Sequence, residues 1–348
     1  IKSTPVKCFA HIGSRIDFSL VLEKLVTSPT FISFGFLAKS TDRFSQITFS
    51  LSEDSRIKVC LSDSCMLLSQ PLGTLANAWI NPNDKKKLTD LLKVFYGKKL
   101  SDKRLAPRVD VALKKQVFPY EALNGDYWNE EDPIPKEVFY DTLRKEDISD
   151  ADYAEYLNVN SILKTFYGKN GSTFTDYHNL YLALDVILLG MILQNFQDVS
   201  YGDSGLNPLW YLSISSFSLG TLLKTNKYSA RKTPKIVIPG IEVQKFVSSS
   251  IKGGFTHVIT KTPQDHHKET DLLAYCDVNS MYPSVNATEK LPHEFIEWLT
   301  FPPGTSVEKT IAAMEAEGDE RYFFIECDIA PLAPQFQKKA CGYPMFPL

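Results

Sequence analysis

Two carboxylates occupy settings in which a bound cation would be at home. Asp277 follows Leu272-Leu273-Ala274-Tyr275-Cys276, a short apolar run that reads as a buried strand, so one carboxylate is delivered where strand gives way to turn. That is how a metal ligand is presented. The next residues, Val278-Asn279-Ser280-Met281-Tyr282, set polar groups and an aromatic ring beside it, and Pro283 is expected to terminate the segment. The second carboxylate, Asp185, lies in Leu180–Leu189, a helical stretch apolar on nearly all faces and so expected to be buried. Tyr181 stands four residues earlier, on the same helix face. A lone carboxylate there is costly unless it is paired or binds a cation, which leaves two readings: a metal ligand, or the partner of a distant Lys or Arg.

The elements that must position these groups are legible in outline. Val6–Ala10 reads as a strand, His11–Ile16 as a turn, and the run from Asp17 as a helix with Asp17 as its N-cap, worth about 1 kcal/mol. Three further strands are expected at 31–36, 46–51 and 57–61, and another at 322–329. Leu67, Leu68, Leu72 and Leu75 suggest a short amphipathic helix, and Asp176 is expected to cap the long apolar helix. Basic residues concentrate from Asn81 to Lys115, either as a DNA-facing surface or as a solvated face.

Composition bounds the class. With 348 residues, 43% apolar and 23% charged, the chain is long enough for two domains with real cores. A net charge of -3 gives no global attraction to nucleic acid, so any DNA contact must come from local basic surface. The six cysteines form no CxxC pair, which points away from zinc sites and disulfide frameworks and toward a reducing, intracellular compartment. No membrane association is expected, because the apolar run Leu180–Leu193 is short and broken by Asp185.

Asp277-Val278-Asn279-Ser280-Met281-Tyr282-Pro283, with Lys252-Gly253-Gly254-Phe255 about two dozen residues earlier, resembles the first polymerase motif of the protein-primed branch of family B DNA polymerases, of the Polinton and linear-plasmid kind. The resemblance implies that Asp277 binds both catalytic magnesium ions, that Val278 adds its backbone carbonyl, and that Tyr282 packs under the sugar to exclude a 2′-hydroxyl. It places the nucleotide along Val278, Asn279, Ser280, Met281 and Tyr282, and template contact at Lys252, Gly253 and Gly254. Ile251 and Lys252 stand where many members have Tyr and Arg.

Upstream, Ala10-His11-Ile12-Gly13-Ser14-Arg15-Ile16-Asp17-Phe18 resembles the second exonuclease motif of the same enzymes, and Tyr181-x-x-x-Asp185 the third. Carried over, Asp17 and Asp185 hold metal, Tyr181 orients the attacking water, and His11 touches DNA. Ile12 departs from the pattern, since the family's Asn there contacts the primer end and an alkyl group forms no hydrogen bond. Asp63-Ser64 and the following leucines match a segment that touches primer and priming protein. Phe118-Pro119-Tyr120-Glu121 and Pro133–Tyr140 are also similar to Polinton-type chains.

The fold so implied is α/β: a ribonuclease H-like 3′-5′ exonuclease domain over 1–195, a mixed sheet with flanking helices. A connecting helical region over 196–250 and the N-terminal part of an α+β polymerase palm over 251–348 follow. Asp17 and Asp185 are expected to converge across the sheet. Mg2+ is the implied cofactor, and template–primer DNA, deoxynucleoside triphosphates and a terminal priming protein are the implied partners. The family's first-motif Asp and Glu, its fingers Lys and its Asp-Thr-Asp hairpin are not found within residues 1–348. The expectation is therefore part of a DNA polymerase that neither trims nor extends DNA as this chain alone. The other reading is a captured, non-catalytic remnant serving a larger assembly.

Overall fold

The computed structural model describes residues 5–40, 43–51, 57–96, 109, 111, 113–130, 133–142, 144–167, 173–228, 234–251, 276–318 and 321–326. It divides into two compact units, Ile1–Leu222 and Leu223–Leu348.

The first unit opens on strand β1 (Val6–Ala10), helix α1 (Asp17–Thr27), and strands β2 (Ile32–Ser40), β3 (Arg43–Ser50) and β4 (Lys58–Asp63). They form a mixed sheet in the order β1-β4-β3-β2, with β1 parallel to β4 and the other pairs antiparallel. On β3 the alternation works as read: Ile47 and Phe49 turn inward onto Phe18 of α1. The expected N-cap is corrected, because Ile16 holds that position without a side-chain bond and Asp17 is the exposed first residue of the helix. There its charge still favours the positive end of the helix dipole.

Helices α2 (Leu72–Trp79), α3 (Lys85–Tyr96), α4 (Asp150–Tyr167) and α5 (Phe174–Ser204) build the second part of this unit. Of the leucine-spaced segment, Leu72 and Leu75 are helical and lie against Leu188 and Ile192 of α5, while Leu67 and Leu68 precede the helix in a turn and irregular chain. Asp176 serves the start of α5 from inside the helix: Thr173 is the cap, and its backbone N–H and hydroxyl both donate to the Asp176 carboxylate, at 3.0 and 3.1 Å. The far end closes on Gly205 at φ 61, the left-handed C-cap that glycine adopts without strain.

At 31 residues, α5 is long and apolar enough by composition to cross a membrane. Its apolar face is used inside the unit instead, where Leu184, Leu188, Met191 and Ile192 are essentially inaccessible. It is not buried all round, as the sequence suggested, for Leu182 is 50% and Val186 60% exposed. Asp185 therefore sits on the border between core and solvent, with its side chain 26% exposed.

In the second unit helix α6 (Ile214–Tyr228) crosses the boundary, and α7 (Ile241–Ser250), α8 (Met281–Thr288) and α9 (Val307–Ala316) follow. Local links hold it: the Val237 N–H donates to the His293 carbonyl at 2.8 Å, Arg321 pairs with Glu297 at 2.7 Å, and Trp298 meets Phe246 and Phe295 edge-on or tilted. Among its described residues there is no strand. The strand expected from residue 322 is corrected over 322–326, which are irregular, with the Tyr322 hydroxyl donating to the Lys290 carbonyl. The strand expected at 272–276 lies outside the described residues except for Cys276, which is exposed and irregular.

Candidate functional site

Parallel pairing of β1 with β4 sets Ala10 opposite Asp63, so the turns leaving the two strands lie side by side. His11 and Ser64 meet there, Nδ1 to Oγ at 3.0 Å, while His11 Nε2 stands 2.9 Å from the Gln70 carbonyl. A carbonyl only accepts, so Nε2 carries the proton. Asp63, only 4% exposed, accepts from the backbone N–H groups of Ser14 at 3.1 Å and Cys65 at 2.9 Å. His11 Nδ1 and Asp63 Oδ2 thus tie the 11–16 turn to the end of β4, while His11 Nε2 reaches on to Gln70 and Asp63 Oδ1 caps its own following turn.

That turn is tight. Gly13 is buried so closely that a Cβ would stand 2.8 Å from Ala10 and from the Phe18 ring. Ile12 adopts φ 64, a left-handed backbone in which Asn is common and a β-branched residue is strained. That backbone suits Asn better than the Ile that occupies it. Asp17 follows on the exposed outer face of α1.

The most developed constellation gathers around Asp185. Lys115 Nζ donates to both its carboxylate oxygens, at 2.6 and 2.8 Å, and to the Tyr181 hydroxyl at 2.7 Å. The same ammonium lies 4.6 Å from the Tyr181 ring centroid. Tyr120 reaches the Tyr181 hydroxyl at 3.4 Å. Burial foremost, then the hydrogen bond with Tyr120 and the charge of Asp185, pushes the Tyr181 phenol far above its ordinary value and keeps it neutral. Of the two partners that the sequence left open for Asp185, the structure supplies the distant lysine.

Lys115 stood in the sequence only as one member of a basic run. The rest of that run is partly used inside the fold too: Lys87 binds Asn195 and Asp198, and Lys114 binds Glu155. Lys98, Lys99, Lys103, Arg104 and Arg108 lie outside the described residues. Nothing in the sequence marked Lys115 within that run; its place is set by the neighbouring Phe118, whose ring packs 4.5 Å from that of Tyr181.

The residues do not fit a divalent cation at Asp185 as placed. One carboxylate and one neutral phenol face an ammonium that already lies between them, and Mg2+ needs oxygen ligands at about 2.0–2.1 Å in octahedral array. Asp17 is exposed at the start of α1, whose Phe18 joins the sheet cluster, while Asp185 lies on α5 beside Leu184 and Ile187 of the helical cluster. Among the described residues no three His, Cys, Asp or Glu side chains come together as a metal-holding group.

The Asp277 segment has the opposite character. Residues 276–290 are all exposed, Val278 at 68%, Met281 at 57% and Tyr282 at 85%. Asp277 and Val278 are irregular, Asn279 and Ser280 turn, and Ser280 at φ 55 leads into α8 at Met281. Pro283 does not terminate the segment; it sits in the first turn of α8, where its missing N–H breaks no helical bond. The side chain of Asp277 has no ion-pair partner among the described residues. Lys252, Gly253 and Gly254 lie outside them.

A family model described as DNA polymerase type B, organellar and viral, matches residues 1–342. No curated protein and no solved structure matches the chain.

Proposed function

Since the chain belongs to the organellar and viral type B DNA polymerases, we propose that it serves DNA replication in the protein-primed manner, as a part of such an enzyme that does not act alone. DNA and nucleotides are the substrates that membership implies. The single observation that carries this reading is the extent of the match, which takes in the His11–Asp17 turn, the Tyr181–Asp185 helix and the Asp277 segment together.

In this reading Asp277 is the polymerase carboxylate, with Val278 beside it and Tyr282 facing the sugar of a bound nucleotide. Mg2+, when bound, would neutralise charge on the triphosphate. The chain's own residues present one exposed carboxylate and an exposed ring at the mouth of α8, and supply nothing opposite them among the described residues. Positioning contacts are most of what a protein gives to phosphoryl transfer, so templated synthesis would require further groups facing Asp277. The first unit, a mixed sheet with helices, is read as a ribonuclease H-like exonuclease lobe that holds the 3′ end of DNA without cutting it. Ile12 offers the primer end no hydrogen bond, and Asp185 is occupied by Lys115. A terminal priming protein is the proposed partner, and Cys8, Cys60, Cys65 and Cys276, none of them in a disulfide, suit a reducing compartment.

The filled Asp185 site also favours a second reading, a captured polymerase remnant retained as a non-catalytic subunit. Both readings are tested by incubating the purified chain with an end-labelled single-stranded oligonucleotide and Mg2+, and separately with a template–primer and deoxynucleoside triphosphates. Binding without trimming or extension is expected. Rapid Mg2+-dependent trimming that Asp185→Ala abolishes would overturn the silent-exonuclease part. A gain of Asp277-dependent synthesis on adding back a polymerase segment would decide for the incomplete enzyme over the remnant.

A further inference from the structure

We infer that Lys115 is the resident cation of the Asp185–Tyr181 site, a built-in ammonium standing where a divalent metal would otherwise be held. The inference deepens the reading of a silent exonuclease lobe, but it rests on geometry that holds whatever the chain does with DNA.

An exposed lysine near a carboxylate would be unremarkable, since such pairs contribute little and exchange freely with solvent. Lys115 is different in three respects. Its Nζ uses three hydrogen bonds on one site, two to the Asp185 carboxylate and one to the Tyr181 hydroxyl, which exhausts the donors of an ammonium. Its backbone is pinned on the C-terminal side by three successive residues. Gln116 donates to the Val111 carbonyl at 2.7 Å, the Val117 carbonyl accepts from the Tyr177 hydroxyl, and Phe118 lies among Phe174, Tyr177 and Tyr181. Its stem, finally, runs along the start of α2, where a Cβ on Gly73 would touch Lys115 Cδ at 3.8 Å. The lysine is led to Asp185 by packing as well as by charge.

Charge balance then argues against a second cation. Asp185 contributes one negative charge and Lys115 one positive, and the two are bound to each other at 2.6 and 2.8 Å. A divalent ion added at the carboxylate would sit within contact range of the ammonium, and two charges remain uncompensated in a site about three-quarters shielded from water. Removing the ammonium reverses this: the carboxylate and phenol oxygens then face a gap with net negative charge, a setting that recruits hard cations.

The test is a Mn2+ titration of the full chain, followed by the electron paramagnetic resonance signal of the free ion, in the wild type, Asp185→Asn, Lys115→Met and the double variant. The wild type and Asp185→Asn should bind alike, because Asp185 is already occupied. Lys115→Met should gain a site, tightening Mn2+ binding by at least about tenfold, and the double variant should lose it. An Asp185-dependent Mn2+ site in the wild type would overturn the inference, as would the absence of any gain in a folded Lys115→Met. Should Lys115→Met fail to fold, the comparison of wild type with Asp185→Asn decides alone: equal binding supports the resident ammonium and unequal binding removes it. Failure of the chain to bind DNA would sink the functional reading and leave these titrations unchanged.

Discussion

Asp185 and Asp277 are the carboxylates that the sequence places in the two chemically marked stretches, and the two units treat them in opposite ways. Asp185, on the border of a packed helical core, is bound by an ammonium from 70 residues earlier in the chain and flanked by a phenol held neutral. Asp277 stands on an exposed turn with exposed Val278 and Tyr282 around it. The difference teaches where a fold must complete its own electrostatics. A carboxylate withdrawn from water needs its counter-charge within the same unit, or the unit does not fold around it. One left in water is hydrated and needs no partner until function brings one.

The contrast sharpens most at alkaline pH. Burial pushes Tyr156 up to about 12, and also raises Tyr177 and Tyr181, all within the helical part of the first unit. The folded state keeps these phenols neutral at a pH where the unfolded chain would ionise them. Their contribution is therefore complete below about pH 10, the ordinary tyrosine value, and is lost as pH rises through the folded values. Thermal melts stepped from pH 8 upward, read with tyrosinate absorbance, should show the first unit's transition collapsing as these phenols ionise. Free ionisation of all three in a still-folded unit would break the contrast.

Smaller, and more direct, is the effect of removing each carboxylate. Asp185→Ala leaves the Lys115 ammonium without its partner in a largely shielded site and should cost roughly 1–3 kcal/mol by urea unfolding. Asp277→Ala should stay within about 0.5 kcal/mol, as surface changes do. Equal costs would mean that the exposed turn is held as firmly as the paired one.

The smallest expected change is a gain. Ile12 pays for a left-handed backbone at φ 64 that Asn tolerates, so Ile12→Asn should stabilise the first unit by about 1 kcal/mol. A chemical-denaturation midpoint that falls instead would show that Ile12 packs well enough to outweigh the strain.

Much of the first unit was legible because its signals are local. Alternation marked β1 to β4 to within a few residues, and the spacing of Tyr181 and Asp185 put them on one face of α5. The helix caps were misplaced by one to three residues at Asp17 and Asp176, since a first-turn carboxylate and a cap share the same preference for acidic residues near a helix start. In the second unit the residues at 322–326 have strand-like composition yet find no strand partner among the described residues, and composition alone does not make a sheet.

The sequence by itself determined the family, the strands of the first sheet and the helix face that carries Asp185, because these depend on residue types and on neighbours a few positions apart. Only the tertiary structure decided that Lys115 would be the partner of Asp185, and that His11 would be tied to Ser64 across 53 residues through the parallel register of β1 and β4. Eleven lysines and arginines between Asn81 and Lys115 carry the same charge in the sequence. What singles out one is the aromatic packing of Phe118 against Tyr177 and Tyr181, which sets the backbone three residues away and leaves that ammonium within reach of the carboxylate.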